Sequence, residues 1–427
     1  MKYLLLIFMW IPGLLFAQKI EMFGYFEPQL LLQRFGNSTF QLSSNKLRVD
    51  LQLNASKHVS FGANLNYISY HGKTEWNILD FLPSTIKAEV PDFTFQGAEI
   101  NPYVLRYENK NILDNAYLRL SLKSVDFTIG KQQLSLGTGY VFNPTDVFNK
   151  KDLIDPTYEQ PGHNAFRMDM SIKGNWGIAA LYFPADNWKT SDLLFKIKGY
   201  LDHFDFSLIA IRKQWSYTDA RLFNTVQMNF SSLKTNRQIL GGDFAGELLG
   251  LGVWGEYAYN QVNLNDNDKR NYFDDFYNNP FLESIPDNPE PMSIPNEFYE
   301  LVLGVDYTFD FQTYIMCEFY RNTLAKSDDK KYLFNDWMQF LFAETKSITQ
   351  NQIYLDLQHP LTDLLNIGCS TITSLSDNST GFIPTLTYNI YENVELIFIG
   401  NIYSGKTGTA YAKNLGNGAI IRARLYF

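Results

Sequence analysis

Charged side chains recur at every second position of otherwise apolar segments. The basic ones are Lys46, Arg48, Arg119, Lys131, Arg167, Lys173, Lys196, Lys198, Arg422 and Arg424. A second set, Glu256, Glu300, Asp306, Glu318 and Asp356, is acidic and comes from later in the chain. Residues two apart on a strand share a face, so each set falls on one surface. Opposed rows of fixed charge do electrostatic work: across a narrow aqueous space they orient dipolar solutes and disfavour apolar ones. Catalytic chemistry has no comparable signature. The 5 His (His58, His71, His163, His203 and His359) form no His-Glu-x-x-His, and neither a Gly-x-Ser-x-Gly elbow nor a phosphate-binding Walker loop occurs. Asp266, Asp268, Asp274 and Asp275 offer the hard ligands that calcium takes, but in no EF-hand spacing, and read as a solvated acidic loop. No enzyme activity, cofactor or metal is expected.

The elements that carry these charges must be strands. From Lys46 the chain reads Lys-Leu-Arg-Val-Asp-Leu-Gln-Leu-Asn, with Leu47, Val49, Leu51 and Leu53 on one face and polar residues on the other. The dyad returns at 115–122, 166–173, 299–309, 352–358 and 419–427. Many of these segments reach ten residues or more, whereas strands of soluble proteins average about five or six and membrane strands need about 9–11. Aromatics gather at segment ends (Phe23, Tyr25, Tyr67, Tyr182, Tyr257, Tyr307, Phe319), where barrels in the outer membrane place their girdles.

Composition supports this reading. The chain has 427 residues, 16% of them aromatic and 19% charged, with a mean hydropathy of −0.22. Such aromatic content excludes disorder. Beyond residue 17 no apolar run approaches the roughly 18 residues of a spanning helix. The balance of 36 basic to 45 acidic residues, net −9, argues against a nucleic-acid partner. Residues 1–17 read as a secretory signal peptide: Lys2, an apolar run from Tyr3 to Ile11, then Pro12-Gly13 and a cleavage site after Ala17. Residues 18–427 then form one domain, with no plug-sized segment before the first strand. Cys317 and Cys369 sit in alternating apolar stretches; a disulfide is open to an exported protein, but two small hydrophobes are the expected reading.

Connections alternate in length. Tight turns fall near 56–58, 123–124, 174–175, 202–204, 248–250, 308–311, 359–363 and 391–393. Most of those between are longer: 71–111, 136–162, 184–191, 215–235, 260–295, 322–347 and 404–417. Short periplasmic turns and long extracellular loops define a transmembrane antiparallel β-barrel, here of about 18 strands (range about 16–18). Within the loop after Asn322, Leu333, Trp337, Phe340 and Leu341 recur at helical spacing and predict a helix over 331–344, packed against the barrel mouth.

The last residues, Arg-Ala-Arg-Leu-Tyr-Phe, resemble the C-terminal strand by which the barrel assembly machinery recognises bacterial outer-membrane barrels, with Phe427 as the signal. A second resemblance covers about forty residues. Ile129-Gly130-Lys131-Gln132-Gln133, Gly137-Thr138-Gly139, Asn143-Pro144 through Asn149, and Ala165-Phe166-Arg167 look like the signposts of porin-like and alginate-export-type outer-membrane barrels. The resemblance implies that the loop over 136–162 folds inward and narrows a pore. The expectation is a porin-like channel in the outer membrane of a Gram-negative cell, passing small hydrophilic solutes, anionic ones included. Its lining would be Arg48, Arg119, Lys131, Gln133, Arg167, Lys196, Arg422, Arg424, Glu300 and Glu318. The alternatives are an export conduit for an anionic polysaccharide and a non-transport surface barrel. The partners are outer-membrane lipid, the assembly machinery and the solutes; solute, direction, gating and oligomeric state are not legible.

Overall fold

A strand that crosses a bilayer must pair every backbone N–H and C=O inside a sheet, and an open sheet leaves two edges bare. This chain closes its sheet. The computed structural model describes residues 20–427 apart from 36–37, 88, 96, 150–158, 173, 265 and 280–289. The leader at 1–17 and Lys173 therefore lie outside the described residues.

Strand β1 (Ile20–Phe35) pairs antiparallel with β2 (Ser38–Asn54) on one side and with β18 (Asn417–Tyr426) on the other. In chain order follow β3 (Val59–Gly72), β4 (Lys110–Ser121), β5 (Val125–Gln132), β6 (His163–Ile172), β7 (Trp176–Phe183) and β8 (Asp192–Leu201). Next come β9 (Phe204–Asn224), β10 (Asn229–Leu248), β11 (Leu251–Leu264), β12 (Glu297–Thr308) and β13 (Tyr314–Asn322). The last are β14 (Asn351–Thr362), β15 (Leu365–Ser374), β16 (Ser379–Tyr391) and β17 (Val394–Tyr403). The described residues thus make one closed 18-stranded antiparallel sheet. At the seam, Gly24 and Phe427 exchange both backbone hydrogen bonds at 3.0 Å, so the terminal residue completes the ring.

The alternation places side chains as expected. Leu47, Leu118, Leu120, Phe127, Ile129, Leu303, Leu355 and Ile421 are exposed on the outer parity. Aromatics band the two rims: Phe166, Tyr182 and Trp188 stack on one, and on the other Tyr307 meets Phe309 edge-on while Phe309 stacks on Phe311. Cys317 and Cys369 are free thiols, on strands that are not neighbours.

Two departures have physical causes. The long loop expected over 215–235 is mostly strand, because β9 and β10 run 21 and 20 residues and leave only 225–228 to connect them. Their tips are stabilised from within: Trp215, Tyr217, Leu222 and Leu233 pack with Tyr272 and Phe276 of helix α1 (Asp266–Tyr277). That helix occupies the stretch read as an acidic loop. The second expected helix is present as α2 (Phe334–Leu341), with Trp337 and Met338 wholly buried.

Leu303 lies midway between Tyr299 and Tyr307 on the outer face of β12, so Leu303→Arg is expected to cost about 2–4 kcal/mol in urea unfolding from vesicles. Thr385→Arg, on the inner face of β16, is expected to cost less than about 1 kcal/mol.

Candidate functional site

The interior of the barrel is set by one loop. After β5, residues 134–149 turn into the barrel and not out into solvent. Leu134 and Leu136 turn back and bury themselves against Leu181, Leu194, Ile209 and Ile239 of the inner wall. Phe148 adds a stack on Phe183 at 4.3 Å. Beneath the loop the wall from β7 to β11 therefore carries an apolar inner strip as well as its apolar outer face.

A loop inside a barrel brings backbone N–H groups that need acceptors. Two inward carboxylates supply them. Glu256 on β11 accepts from the backbone N–H of Thr138 (2.9 Å), Gly139 (3.1 Å) and Thr145 (2.6 Å), and from the Thr145 hydroxyl (2.8 Å). Glu318 on β13 accepts from the backbone N–H of Tyr140 (2.7 Å), Val141 (3.0 Å) and Phe142 (2.8 Å), and from the Trp254 indole (2.9 Å). Phe142 then lies flat on Tyr320, ring centroids 4.3 Å apart. The Gly-Thr-Gly spacing follows from this grip. Gly137 has φ +75°, and a Cβ there would stand 2.2 Å from the Glu256 carboxylate.

Lys346 fastens the latch from the extracellular side. Its ammonium donates to the carbonyls of Asn143 (2.5 Å) and Pro144 (2.9 Å) and lies 3.4 Å from Glu300. Above it the mouth is crossed by the 73–109 loop. The Tyr103 hydroxyl donates to the Ala220 carbonyl, and the Asn414 amide to that of Phe81. Asp219, wholly buried, gathers Arg221, the Tyr272 hydroxyl of α1 and the Asn335 amide of α2.

The opposite wall is polar. Arg424 donates to Glu27 at 2.6 Å, and Arg422 to Gln29 at 2.9 and 2.6 Å. Arg48 clasps Asp50 at 3.0 and 2.9 Å. Both Lys46 (2.8 Å) and Arg48 (2.7 Å) reach Glu159, at the end of the inward loop. Further round, Arg167 pairs with Asp169 at 2.6 Å, and Lys196 stands 3.7 Å from Asp243. Arg119 lies over the Tyr117 ring and donates to the Thr128 hydroxyl at 3.4 Å; Lys198 is exposed on the same inner parity, and neither has an ion pair among the described residues.

So Arg48, Arg119, Arg167, Lys196, Arg422 and Arg424 all face inward, as do Glu300 and Glu318. Lys131 and Gln133 do not join them. Lys131 shares the outward parity of Phe127 and Ile129, and its ammonium donates to the Leu113 carbonyl at 2.7 Å. Gln133, just past the strand, ties the two legs of the loop by donating to the Gln160 carbonyl. It is Gln132 that points inward and is buried. Carrying the Phe127–Ile129 dyad two residues further would have shown this. Glu159 and Lys346 carried no sequence signal, since they act through Lys46 and Arg48 and through Asn143 and Pro144, more than a hundred residues away; Asp219 gathers partners 2, 53 and 116 residues away, which no local pattern marks. The four aspartates of 266–275 lie on α1, and among the described residues no group of three or more His, Cys, Asp or Glu could hold a metal ion.

No protein-family model and no curated protein matches the sequence. Solved structures match the fold. OccAB1 of Acinetobacter baumannii is 10% identical, with 96% of this chain and 96% of that one covered and a TM-score of 0.53. OccAB4 of the same organism is 9% identical, covering 96% and 99%, with a TM-score of 0.51. OmpT, an outer membrane protein of Vibrio cholerae, is 9% identical over 96% and 100%, at 0.46. This chain has the fold of the porin-like outer-membrane β-barrels. At such identity the likeness extends to architecture alone, and the interior has to be read from its own residues.

Two outcomes follow for the loop. Glu256→Ala leaves the N–H groups of Thr138, Gly139 and Thr145 without acceptors and is expected to destabilise by about 3 kcal/mol or more, measured by urea unfolding, whereas Glu256→Gln restores part of it. Glu159 titrates in a definite direction. Burial alone would raise its pKa, but the hydrogen bond from Lys46 and the charges of Lys46 and Arg48 hold it below the usual carboxylate range. A depressed native pKa stabilises above the unfolded value, and that contribution fades as pH falls through the native one. The Glu159 contact is therefore intact at neutral pH and released in acid. Titrating wild type against Glu159→Gln from pH 7 to 3 should show an acid transition in single-channel current that the variant lacks.

Proposed function

We propose that this barrel is a porin-like channel for passive diffusion of small hydrophilic solutes across the outer membrane. The observation that carries this reading is the asymmetry of the interior. Part of the wall is covered by the latched loop, while the rest presents Arg119 and Lys198, with no ion pair among the described residues, and the half-exposed Arg167–Asp169 pair to the inside. Such a surface is stable only against water, and it favours solutes that exchange hydration for charged partners. The loop supplies the size limit, and the charged wall supplies orientation. The two cations without an ion pair favour anionic groups at the periplasmic end of the path, since Arg119 and Lys198 both lie within three residues of the ends of β4 and β8.

The export-conduit alternative finds less support, because the cations it would need are mostly matched by Glu27, Asp50, Asp169 and Glu159. The non-transport reading has one observation in its favour: the extracellular half is filled by loop side chains, with Tyr103, Phe334, Trp337 and Tyr411 buried together.

Planar-bilayer recording separates these readings. A channel gives small, stepwise, ohmic conductance, and deletion of 137–146 with a short glycine bridge enlarges the steps. The double variant Arg119→Ala, Lys198→Ala is expected to lower the anion-to-cation permeability ratio without closing the channel. No conductance from folded wild type or from the loop deletion would leave the surface-barrel reading standing.

A further inference from the structure

The outer wall carries a feature that solute passage does not use. Across β4–β11 it is indented by a groove of about 1040 Å³, lined by Phe166, Tyr182, Phe195 and Leu240, with the short side chains of Ala180 and Ala210 between them. Such a hollow on a lipid-facing surface must be filled, because apolar wall without contacting atoms loses dispersion energy.

Its extracellular end is chemically distinct. On β9 the outward residues run Phe206, Leu208, Ala210, then Arg212, Gln214 and Ser216. On β10 they run Leu240, then Gln238, Asn236 and Lys234, and on β11 Tyr257 and Tyr259 give way to Gln261 and Asn263. The change from apolar to polar falls on one hydrogen-bonded row, Leu193–Arg212–Gln238–Gln261. That row marks the outer membrane–water interface, as the Tyr182–Trp188 stack beside it confirms.

Arg212 stands on this row as a fixed cation. Its guanidinium lies over the Trp188 ring at 5.1 Å and donates through Nη2 to the carbonyls of Trp188 (2.9 Å) and Ser191 (3.2 Å). Its Nε is buried and has no hydrogen-bond partner, and among the described residues no carboxylate lies within 4.0 Å of it. The neighbouring Lys213, facing inward, is by contrast paired with Asp192 at 3.2 Å. With Nη2 engaged by two carbonyls and Nε covered, the Nη1 amino group is the part of the guanidinium left to donate to a phosphate or carboxylate.

We propose that this groove is a binding site for an anionic, phosphate-bearing lipid of the outer leaflet, with acyl chains in the hollow over Ala180 and Ala210 and the phosphate on Arg212. The Gln214, Gln238 and Gln261 amides fringe the headgroup side and offer further donors. The site lies outside the lumen, so it is independent of the channel reading.

The test uses the full-length refolded protein and two lipids with identical acyl chains, phosphatidylglycerol and phosphatidylcholine, scored by native mass spectrometry after detergent exchange. Wild type is expected to retain phosphatidylglycerol in preference to phosphatidylcholine. Arg212→Ala should lower that preference about tenfold, the worth of a charge-assisted hydrogen bond, and Arg212→Lys should restore part of it. Ala210→Phe fills the hollow and should reduce retention of both lipids. Heat-modifiable mobility on gels shows which variants are folded, and Ala210→Phe keeps the test open should Arg212→Ala fail to assemble. Equal retention of the two lipids by wild type, or an unchanged preference in Arg212→Ala, overturns the proposal. So does a wild-type oligomer, measured by light scattering, that Ala210→Phe dissociates, since a second copy would then occupy the groove.

Discussion

Backbone amides that enter a space poor in water must find acceptors there, and much of this molecule follows from how the 137–145 segment meets that demand. Glu256 and Glu318 receive eight hydrogen bonds between them, six of those from backbone N–H groups. Both carboxylates are themselves inside the wall, at 2% and 0% exposure, and would be costly there without those donors. Loop and wall are thus mutually dependent. With the loop absent, two charges are stranded in a barrel wall; with the carboxylates absent, a run of amides is stranded in the lumen.

That arrangement divides the interior. Apolar residues on the inner face of β7–β11 would be out of place in a water-filled tube, and they are explained by Leu134, Leu136 and Phe148 lying on them. Away from that apolar strip, the inward cations Arg422, Arg424, Arg48, Arg119, Arg167, Lys196 and Lys198 lie on β18, β2, β4, β6 and β8. There the pattern differs from a simple basic arc. Glu27, Asp50, Asp169 and Glu159 are interleaved with the arginines and lysines at hydrogen-bonding distance. Their fields largely cancel beyond a few ångströms, so the uncompensated cations at Arg119 and Lys198 weigh more than the count of basic residues suggests. Glu256, Glu300 and Glu318 serve to hold loops, and a reading of them as one side of an open field would overstate their reach.

Period-two alternation, aromatic clustering at segment ends and alternating connection lengths are local properties, and each was legible in the order of residues. They determined a closed antiparallel barrel, the strand number and the inward or outward face of Arg48, Arg119, Arg167, Arg422 and Arg424, because a lipid surround forces one face of each strand to be apolar. Where a second apolar surface lies inside, as on Ser207–Ile211, alternation loses its contrast, and the same order of residues cannot say that Ile209 and Ile211 face in while Leu208 faces out. The extension of β9 and β10 to Asn224 and Asn229 was illegible for a related reason: their tips are sheltered by α1, which arrives from about fifty residues later.

Sequence alone thus determined the barrel, since its constraints act between residues one or two apart. Tertiary structure alone decided what the barrel contains: that Glu256 and Glu318 latch a loop, that Glu159 neutralises Lys46 and Arg48, that Lys346 ties two loops together, and that Lys131 faces out. These are contacts between segments distant in the chain, and a hydrogen-bond acceptor carries no mark of which donor will be folded against it.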